Sequence, residues 1–154
     1  MVEKIAFVEF DCNFLQKSFY WLSDSEVKRL TETPDITLDK QEQWFQALPQ
    51  KEDYFIRGIL ADGVPIGAVG IKNIRFMQGE YWGYIGEKAY WGKGIGKVMV
   101  EEMLRVAKVV FHLDMLYLKV LVGNARAISL YKSCGFIVDT TEGKNLRMIY
   151  KLHE

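Results

Sequence analysis

Every second residue from Gly92 to Gly96 is glycine, and this stretch separates two different hydrophobic patterns. Before it, short apolar and aromatic runs are divided by turn residues, which is typical of β-strands. After it, residues 95–111 carry apolar side chains at helical spacing. The chain is therefore predicted to pass from a strand through a glycine turn into a long helix.

The predicted elements run from helices through a three-stranded meander to alternating strands and helices. Asp62-Gly63 and Gln78-Gly79 are predicted to be the turns of the meander, and Gly135 to end the last helix. This order predicts a mixed α/β (α+β) domain of three layers. We predict strands over residues 4–10, 54–60, 65–74, 81–86, 116–122, 136–139 and 146–152, and helices over 26–30, 39–48, 95–111 and 124–134.

Composition and charge narrow the classes of function. The 154 residues suit one domain over positions 1–154, and the balance of 20 basic and 20 acidic side chains argues against broad nucleic-acid binding. The two cysteines and two histidines lack the spacing of zinc ligands, so no metal site is expected. No apolar run approaches the roughly 20 residues that span a bilayer, and no signal-peptide pattern opens the chain. A cytoplasmic protein that binds neither nucleic acid nor membrane is expected.

The stretch from Trp91 to Lys97 has the features of an anion-binding site. Glycines leave backbone amides accessible at a helix N-terminus, where the dipole favours negative charge, and Lys93 and Lys97 add positive charge. A pyrophosphate group is the expected ligand. The stretch departs from a P-loop, which needs glycine at 91 and Ser or Thr at 98, and from the dinucleotide fingerprint, which needs glycine at 97 or 99. In the alternative interpretation the glycines form only a tight turn.

A second segment, Asn124-Ala-Arg-Ala-Ile-Ser-Leu-Tyr131-Lys-Ser-Cys-Gly135-Phe136, follows the glycine loop Gly92-Lys-Gly-Ile-Gly96. Together the two segments resemble the GNAT superfamily of N-acetyltransferases, whose members bind the pyrophosphate of acetyl-CoA with a Q/R-x-x-G-x-G/A loop and carry an N…A…LY…GF helix. The resemblance covers roughly residues 54 to 152. Trp91 departs from the Gln or Arg of this pattern, although a Trp-Gly-Lys-Gly version is found in relatives that acetylate amino sugars and ribosomal-protein N-termini.

The resemblance implies a fold, an activity and a cofactor. The fold is a single-domain GNAT-like three-layer arrangement, with helices flanking a mixed, mostly antiparallel sheet of six to seven strands. The activity is direct transfer of the acetyl group of acetyl-CoA to a primary amine in a ternary complex. The strand before the loop would splay from its neighbour near Tyr84 to Gly86 and pair with the pantetheine arm. The implied acetyl-CoA-binding residues are Tyr84, Ile85, Gly86, Lys93, Gly94, Ile95, Gly96, Lys97 and Asn124. Helix capping alone would also explain Asn124, and sheet irregularity would explain Gly86.

The resemblance also suggests catalytic residues. Acetyl transfer needs an uncharged amine, a stabilised carbonyl oxygen and a proton for the leaving thiolate, and a backbone N–H of the splayed strand suits the oxygen. Tyr131 is the predicted acid, and a core tyrosine bonded to a backbone carbonyl is the alternative. Glu80 or Glu87 is the predicted general base, unless both are surface carboxylates or a water relay replaces them.

The acceptor is predicted from a weaker resemblance. Trp21-Leu-Ser-Asp-Ser-Glu-Val, followed by Trp44-Phe45, is similar to an opening shared by acetyltransferases of nucleotide-linked 4-amino sugars and of ribosomal-protein N-termini. Lys119 stands where N-terminal acetyltransferases use Glu, which favours a small-molecule amine on a nucleotide sugar. Protein N-termini, other small amines and a non-catalytic CoA-binding module are the alternatives. Exposed aromatic residues near the C-terminal strands would allow a homodimer. The aromatic residues considered for the acceptor site, most of them expected in the core, are Tyr20, Trp21, Trp44, Phe45, Phe76, Tyr81 and Trp82.

Overall fold

One mixed sheet of seven strands forms the centre of the computed structural model, which describes residues 2–153. The strands are β1 (Ile5–Val8), β2 (Phe55–Ala61), β3 (Val64–Arg75), β4 (Gln78–Ile85), β5 (Met115–Leu121), β6 (Ile137–Glu142) and β7 (Asn145–Lys151). They lie in the order β1-β2-β3-β4-β5-β7-β6, and each neighbouring pair is antiparallel except β4 and β5. The predicted mixed, mostly antiparallel sheet is confirmed.

Helices cover both faces of this sheet. One face carries α1 (Cys12–Ser23), α2 (Ser25–Leu30) and α3 (Leu38–Ala47), and the other carries α4 (Ile95–Arg105) and α5 (Ala125–Ser133). Asp24 and Asn124 cap the N-termini of α2 and α5 with their side chains, and the sequence analysis named capping as one role of Asn124. The helix predicted over residues 95–111 is α-helical over Ile95–Arg105 and continues as a π-helical turn over Val106–Val110.

The alternation of side chains along the strands divides the core into two clusters. Val69 and Ile71 of β3 pack with α4, whereas Ala68, the residue before Val69, packs with Phe14 and Trp21 of α1. The same alternation holds in β4, where Tyr81 joins the cluster under α4 and its neighbour Trp82 joins the cluster under α1. Consecutive residues of β4 therefore reach opposite sides of the sheet.

The turn between β3 and β4 lies two residues earlier than predicted. Arg75 pairs with Gln78, so the turn consists of Phe76 and Met77 rather than Gln78-Gly79. Gly79 is a strand residue, and a Cβ atom there would lie 2.6 Å from Cγ2 of Ile71. Glycine is therefore needed at position 79 for close packing within the sheet, not for chain reversal.

β4 and β5 separate soon after they begin to pair. Their parallel pairing covers Gln78–Glu80 against Met115–Tyr117, and the remaining residues of β4 are paired with β3 alone. The two strands thus form a V that opens toward the glycine loop. The splay was predicted near Tyr84 to Gly86, and in the structure the separation already begins after Glu80.

Candidate active site

A cleft of about 900 Å³ passes through the V between β4 and β5. On the side of α4 and α5 it is lined by the start of α4 and by Asn124, Leu130 and Tyr131. On the side of α1 to α3 it is lined by Glu80 and Trp82 together with residues of α3. We call this the main cleft. It is open to ligands from both faces of the sheet, so a long molecule and a second reactant can meet inside it.

The glycine loop forms the anion-binding end of the main cleft. Gly92 and Gly94 have φ values of 73° and 80°, which side chains disfavour. Gly94 is the N-cap of α4 and supplies no side-chain acceptor, so the first amides of the helix are not capped by a side chain. A Cβ atom at Gly94 would have no described atom within 4 Å, which leaves open space against these amides. A pyrophosphate group fits this position.

Gly96 has a different role from the other two glycines. A Cβ atom at this position would lie 2.8 Å from Cδ2 of Leu130 in α5. The absence of a side chain lets α4 and α5 approach closely, which brings Asn124 and Tyr131 to the same end of the cleft. Gly96 therefore shapes the site through helix packing.

Two cleft residues have contacts that the sequence did not predict: Trp91, which was noted only as part of the anion-binding stretch, and Arg126. Trp91 donates a hydrogen bond from Nε1 to the carbonyl oxygen of Ile85 at 2.8 Å, which ties the glycine loop to the end of β4. Arg126 lines the cleft beside Gly92, where its Nη2 atom lies 2.9 Å from the place of a Cβ atom. Its position two residues after Asn124 was the available signal. With Lys97, Arg126 makes this end of the cleft positive.

The free edge of β4 presents backbone groups to the cleft. Gly86 and Glu87 both donate their amides to the carbonyl of Ile66, at 2.7 and 3.2 Å, which is the pattern of a β-bulge. Because backbone groups alternate along a strand, the amides of Gly83 and Ile85 point away from β3 and toward the V. They are available to a ligand that lies along the strand.

Tyr131 projects from α5 into the main cleft. Its ring packs edge-on against Tyr81, with 6.0 Å between the ring centroids, and lies 6.1 Å from the ring of Phe136. Burial of the phenol raises the pKa of Tyr131 to about 12, with a smaller contribution from Cys134. The hydroxyl group therefore stays protonated at neutral pH and is available as a donor in the main cleft.

Glu80 reaches the cleft from the opposite side of β4. Its side chain is 11% exposed, accepts a hydrogen bond from Asn73 Nδ2 at 3.1 Å, and lies 4.0 Å from Lys72 Nζ. Lys119 of β5 lines the same part of the cleft. Glu80 is the last residue of β4 that pairs with β5, so its carboxylate lies at the apex of the V.

Glu87, the rival candidate base, is engaged elsewhere. It accepts a hydrogen bond from Trp21 Nε1 at 2.6 Å. A Cβ atom on Gly86 would lie 2.1 Å from Cγ of Trp21, so this glycine makes room for the indole. Lys88 adds ion pairs to Asp24 at 3.0 Å and to Glu26 at 3.1 Å. Residues 86–88 thus anchor α1 and α2 to the end of β4.

The predicted site residues are only partly brought together. Gly86, Glu87 and Lys93, all in the described part of the chain, lie outside the lining of the main cleft. The predicted residues that line it are Glu80, Tyr84, Ile85, Gly94, Ile95, Gly96, Lys97, Asn124 and Tyr131. Asn124 also accepts a hydrogen bond from the amide of Ala127 at 3.2 Å, so capping and a cleft position coexist.

Aromatic side chains line the α1 to α3 side of the cleft. Trp44 and Trp82 of the predicted set are among them, and Tyr54 is an addition; Tyr81 lines the cleft on the side of α4 and α5. Trp82 stacks on Tyr54 with 5.9 Å between centroids and 14° between the ring planes. Trp82 Nε1 is buried and has no hydrogen-bond partner within residues 2–153.

A splayed β4–β5 pair, a glycine-capped helix N-terminus and a protonated tyrosine are together suited to an acyl-CoA-dependent acyltransferase. The family comparison makes this assignment specific. The model of the acetyltransferase (GNAT) family matches residues 15–136, and the chain belongs to this family. Its activity is N-acetyl transfer and its cofactor is acetyl-CoA, for which the uncapped α4 amides and the free edge of β4 supply suitable contacts.

Solved structures share the fold over nearly the whole chain. Spermidine N-acetyltransferase from Vibrio cholerae, in complex with CoA and spermine, is 18% identical, with a TM-score of 0.87 and coverage of 96% of this chain and 95% of that chain. A domain from Methanocaldococcus jannaschii is 21% identical, with a TM-score of 0.85 and coverage of 96% and 98%. The Campylobacter jejuni N-acetyltransferase PseH in complex with acetyl coenzyme A is 18% identical, with a TM-score of 0.77 and coverage of 96% and 99%. No individual curated sequence matches the chain significantly. In the described part of the chain, no helix is long and apolar enough to cross a membrane.

Proposed function

We propose that the acceptor is a primary amine on a small anionic molecule, most specifically the 4-amino group of a nucleotide-linked amino sugar. The observation that carries this proposal is the position of Glu80 at the apex of the V, on a face that also presents Lys72 and Lys119 to the cleft. One carboxylate can accept the proton of the amine, while the lysines attract an anionic group elsewhere on the same molecule. We also infer a cytoplasmic location for this reaction.

The amine, the carbonyl oxygen and the leaving sulfur each have a group of the protein that can exchange a proton with it or donate a hydrogen bond to it. Bound acetyl-CoA supplies the activated acetyl group. Glu80 takes a proton from the ammonium form of the acceptor and releases it to solvent. The neutral amine then forms its C–N bond to the carbonyl carbon as the C–S bond breaks, and the nitrogen loses its second proton to Glu80. The amides of Gly83 and Ile85 are placed to donate to the carbonyl oxygen. Tyr131 gives its proton to the departing sulfur and regains one from solvent.

The charges in the cleft favour this acceptor over a polyamine. A polyamine carries several ammonium groups and calls for several carboxylates, whereas cationic side chains outnumber carboxylates in the described lining of the main cleft: Lys72, Lys97, Lys119 and Arg126 against Glu32 and Glu80. The stacked pair of Tyr54 and Trp82 offers a flat surface for a sugar ring. The buried Nε1 of Trp82 would gain a hydroxyl partner from such a ring.

A homodimer is part of the proposal. β6 is an edge strand of the sheet, and its side chains are all exposed, including Ile137 at 58% and Val138 at 44%. Pairing of this edge with a second copy would cover both side chains.

The test is a panel of acceptors with acetyl-CoA, read by release of the free thiol. UDP-linked 4-amino sugars, the corresponding free amino sugars, spermidine and short peptides form the panel. We expect turnover with the nucleotide-linked sugars, and a fall in kcat of about 100-fold or more in Glu80→Gln. Glu101→Gln, on the outer surface of α4, is the matched control and should keep wild-type turnover. Turnover with spermidine or peptides alone would refute the proposed acceptor class.

A further inference from the structure

A second, smaller cavity lies beside the main cleft at the β3–β4 turn. It has a volume of about 270 Å³, and Lys119 lines both this cavity and the main cleft. The residues that give it its character are Arg75, Phe76, Tyr117, Lys119, Glu142 and Arg147. We call it the Arg75 groove. Because Lys119 is shared, a molecule whose amine lies near Glu80 can extend directly into this groove.

The Arg75 groove is rich in cations. Among the described residues, three cationic side chains and a single carboxylate line it. Lys119 lies 3.9 Å from Glu142, so their ion pair is long, and Arg147 is held by Asp139 at 2.5 Å. Arg75 has no ion pair within residues 2–153. The groove therefore has positive charge left over for an anionic ligand.

One of these guanidinium groups is held in a defined position. Cζ of Arg147 lies 4.5 Å from the centroid of the Tyr117 ring, and its Nη1 atom contacts Asp139. Its side chain is 23% exposed. A guanidinium fixed in this way has lost much of its conformational freedom before any ligand arrives, which favours binding of a phosphate group.

The aromatic wall of the groove sits on a strained turn. Phe76 and Met77 have φ values of 52° and 62°, a conformation that Asn and Gly adopt far more easily than Phe or Met. Phe76 is 87% exposed, so burial of its ring does not repay this strain. Strain of this kind in the backbone points to a function for the side chain that it presents. A ring beside three cations is suited to stack on a planar base while the cations bind phosphates.

We propose that the Arg75 groove is the binding subsite for the nucleoside diphosphate part of the acceptor. Arg75, Lys119 and Arg147 bind the diphosphate, and Phe76 stacks on the base. The inference rests on the proposed function, since it explains how the amine of a nucleotide-linked sugar is carried to Glu80. It adds a site that accounts for selectivity toward the nucleotide.

The site is tested by calorimetric titration of the full-length protein with three probes: UDP, inorganic pyrophosphate and uridine. We expect UDP to bind the wild type and to bind Arg75→Gln about 10- to 100-fold more weakly. Pyrophosphate binding should weaken in the same variant, and uridine binding should weaken in Phe76→Asn. Arg105→Gln removes an arginine from α4, on the opposite face of the sheet, and should bind UDP as the wild type does.

Saturating acetyl-CoA separates this groove from the cofactor site. We expect UDP to bind equally well in its presence and to inhibit competitively against the acceptor. Displacement of UDP by acetyl-CoA, or equal UDP affinities of the wild type and Arg75→Gln, would overturn the subsite.

The experiments distinguish failure of the proposed subsite from failure of the proposed acceptor. If the free amino sugar and its UDP-linked form have equal kcat/KM, the Arg75 groove is not an acceptor subsite, although the acetyltransferase proposal stands. If no amine on the panel is acetylated, the proposed acceptor is wrong. UDP binding that depends on Arg75 would then still support a diphosphate site.

Discussion

Replacing Phe76 by asparagine should stabilise this protein, although it removes a large apolar side chain. Phe76 lies in a two-residue turn with a φ of 52°, and its side chain is 87% exposed. The substitution relieves the backbone, because asparagine tolerates the left-handed conformation. It sacrifices little packing, because the ring contributes little buried area.

The expected change in the free energy of unfolding follows from the backbone strain at Phe76 and from the buried area of its ring. A left-handed residue with a Cβ atom costs roughly 1–2 kcal/mol, and asparagine recovers part of this through its local hydrogen bonds. Loss of the small buried fraction of the ring offsets a few tenths of a kcal/mol. We therefore expect a gain of about 1 kcal/mol in the free energy of unfolding. For a chain of this length, that corresponds to a rise in Tm of about 2–4 °C.

Thermal and urea unfolding, followed by circular dichroism, provide the assay. Tyr20→Asn is the matched control, because Tyr20 is 73% exposed but lies within α1, where φ is helical. That control should show no gain, since asparagine is no better than tyrosine as a helix former. A Phe76→Asn protein with a Tm at or below the wild-type value would refute the assignment of strain to this turn.

Three further substitutions test the catalytic and cofactor-binding residues. Tyr131→Phe should lower kcat by roughly 10- to 1000-fold with little change in the KM for acetyl-CoA. Burial raises the pKa of Tyr131 to about 12. The wild type should therefore show no loss of kcat from tyrosine ionisation as the pH passes the ordinary tyrosine pKa of about 10. Gly94→Ala should destabilise the protein by about 1–2 kcal/mol and raise the KM for acetyl-CoA, because Gly94 has a φ of 80°. Gly123→Ala is the control in chemical unfolding, because Gly123 has open space around it and no positive φ. Trp91→Phe should raise the KM for acetyl-CoA by about 2- to 10-fold in steady-state kinetics, because it frees the Ile85 carbonyl. An unaltered kcat in Tyr131→Phe would remove that residue from the mechanism, and unaltered KM values in the other two would separate the loop from cofactor binding.

Local patterns were enough to predict most of the architecture. The apolar and aromatic runs of β2 and β3 and the helical period after Gly94 depend on neighbouring residues, so they can be recognised along the chain. The same holds for Asn124 as a cap and for Tyr131 on the inner stripe of α5, since both positions follow from helix geometry. The family resemblance predicted acetyl-CoA as the cofactor, which periodicity alone does not identify.

Predictions that depended on the tertiary surroundings of a single residue were less accurate. Glycine is a residue type common in turns, yet Gly79 lies within β4, where Ile71 packs over it. Glu80 and Glu87 look alike in sequence, seven residues apart near the ends of the same strand. Only the fold shows that Glu80 faces the main cleft while Glu87 accepts the indole hydrogen bond of Trp21.

The sequence by itself therefore determined the order of the elements, the glycine-capped helix and the inward tyrosine, because each depends on contacts within a few residues. Tertiary structure alone decided where β4 leaves β5 and which carboxylate lies at that point. It also brought Arg75 and Arg147 to one groove, although they are far apart in the chain. These features depend on strand register and on packing across the sheet, and such long-range contacts leave no local pattern in the sequence.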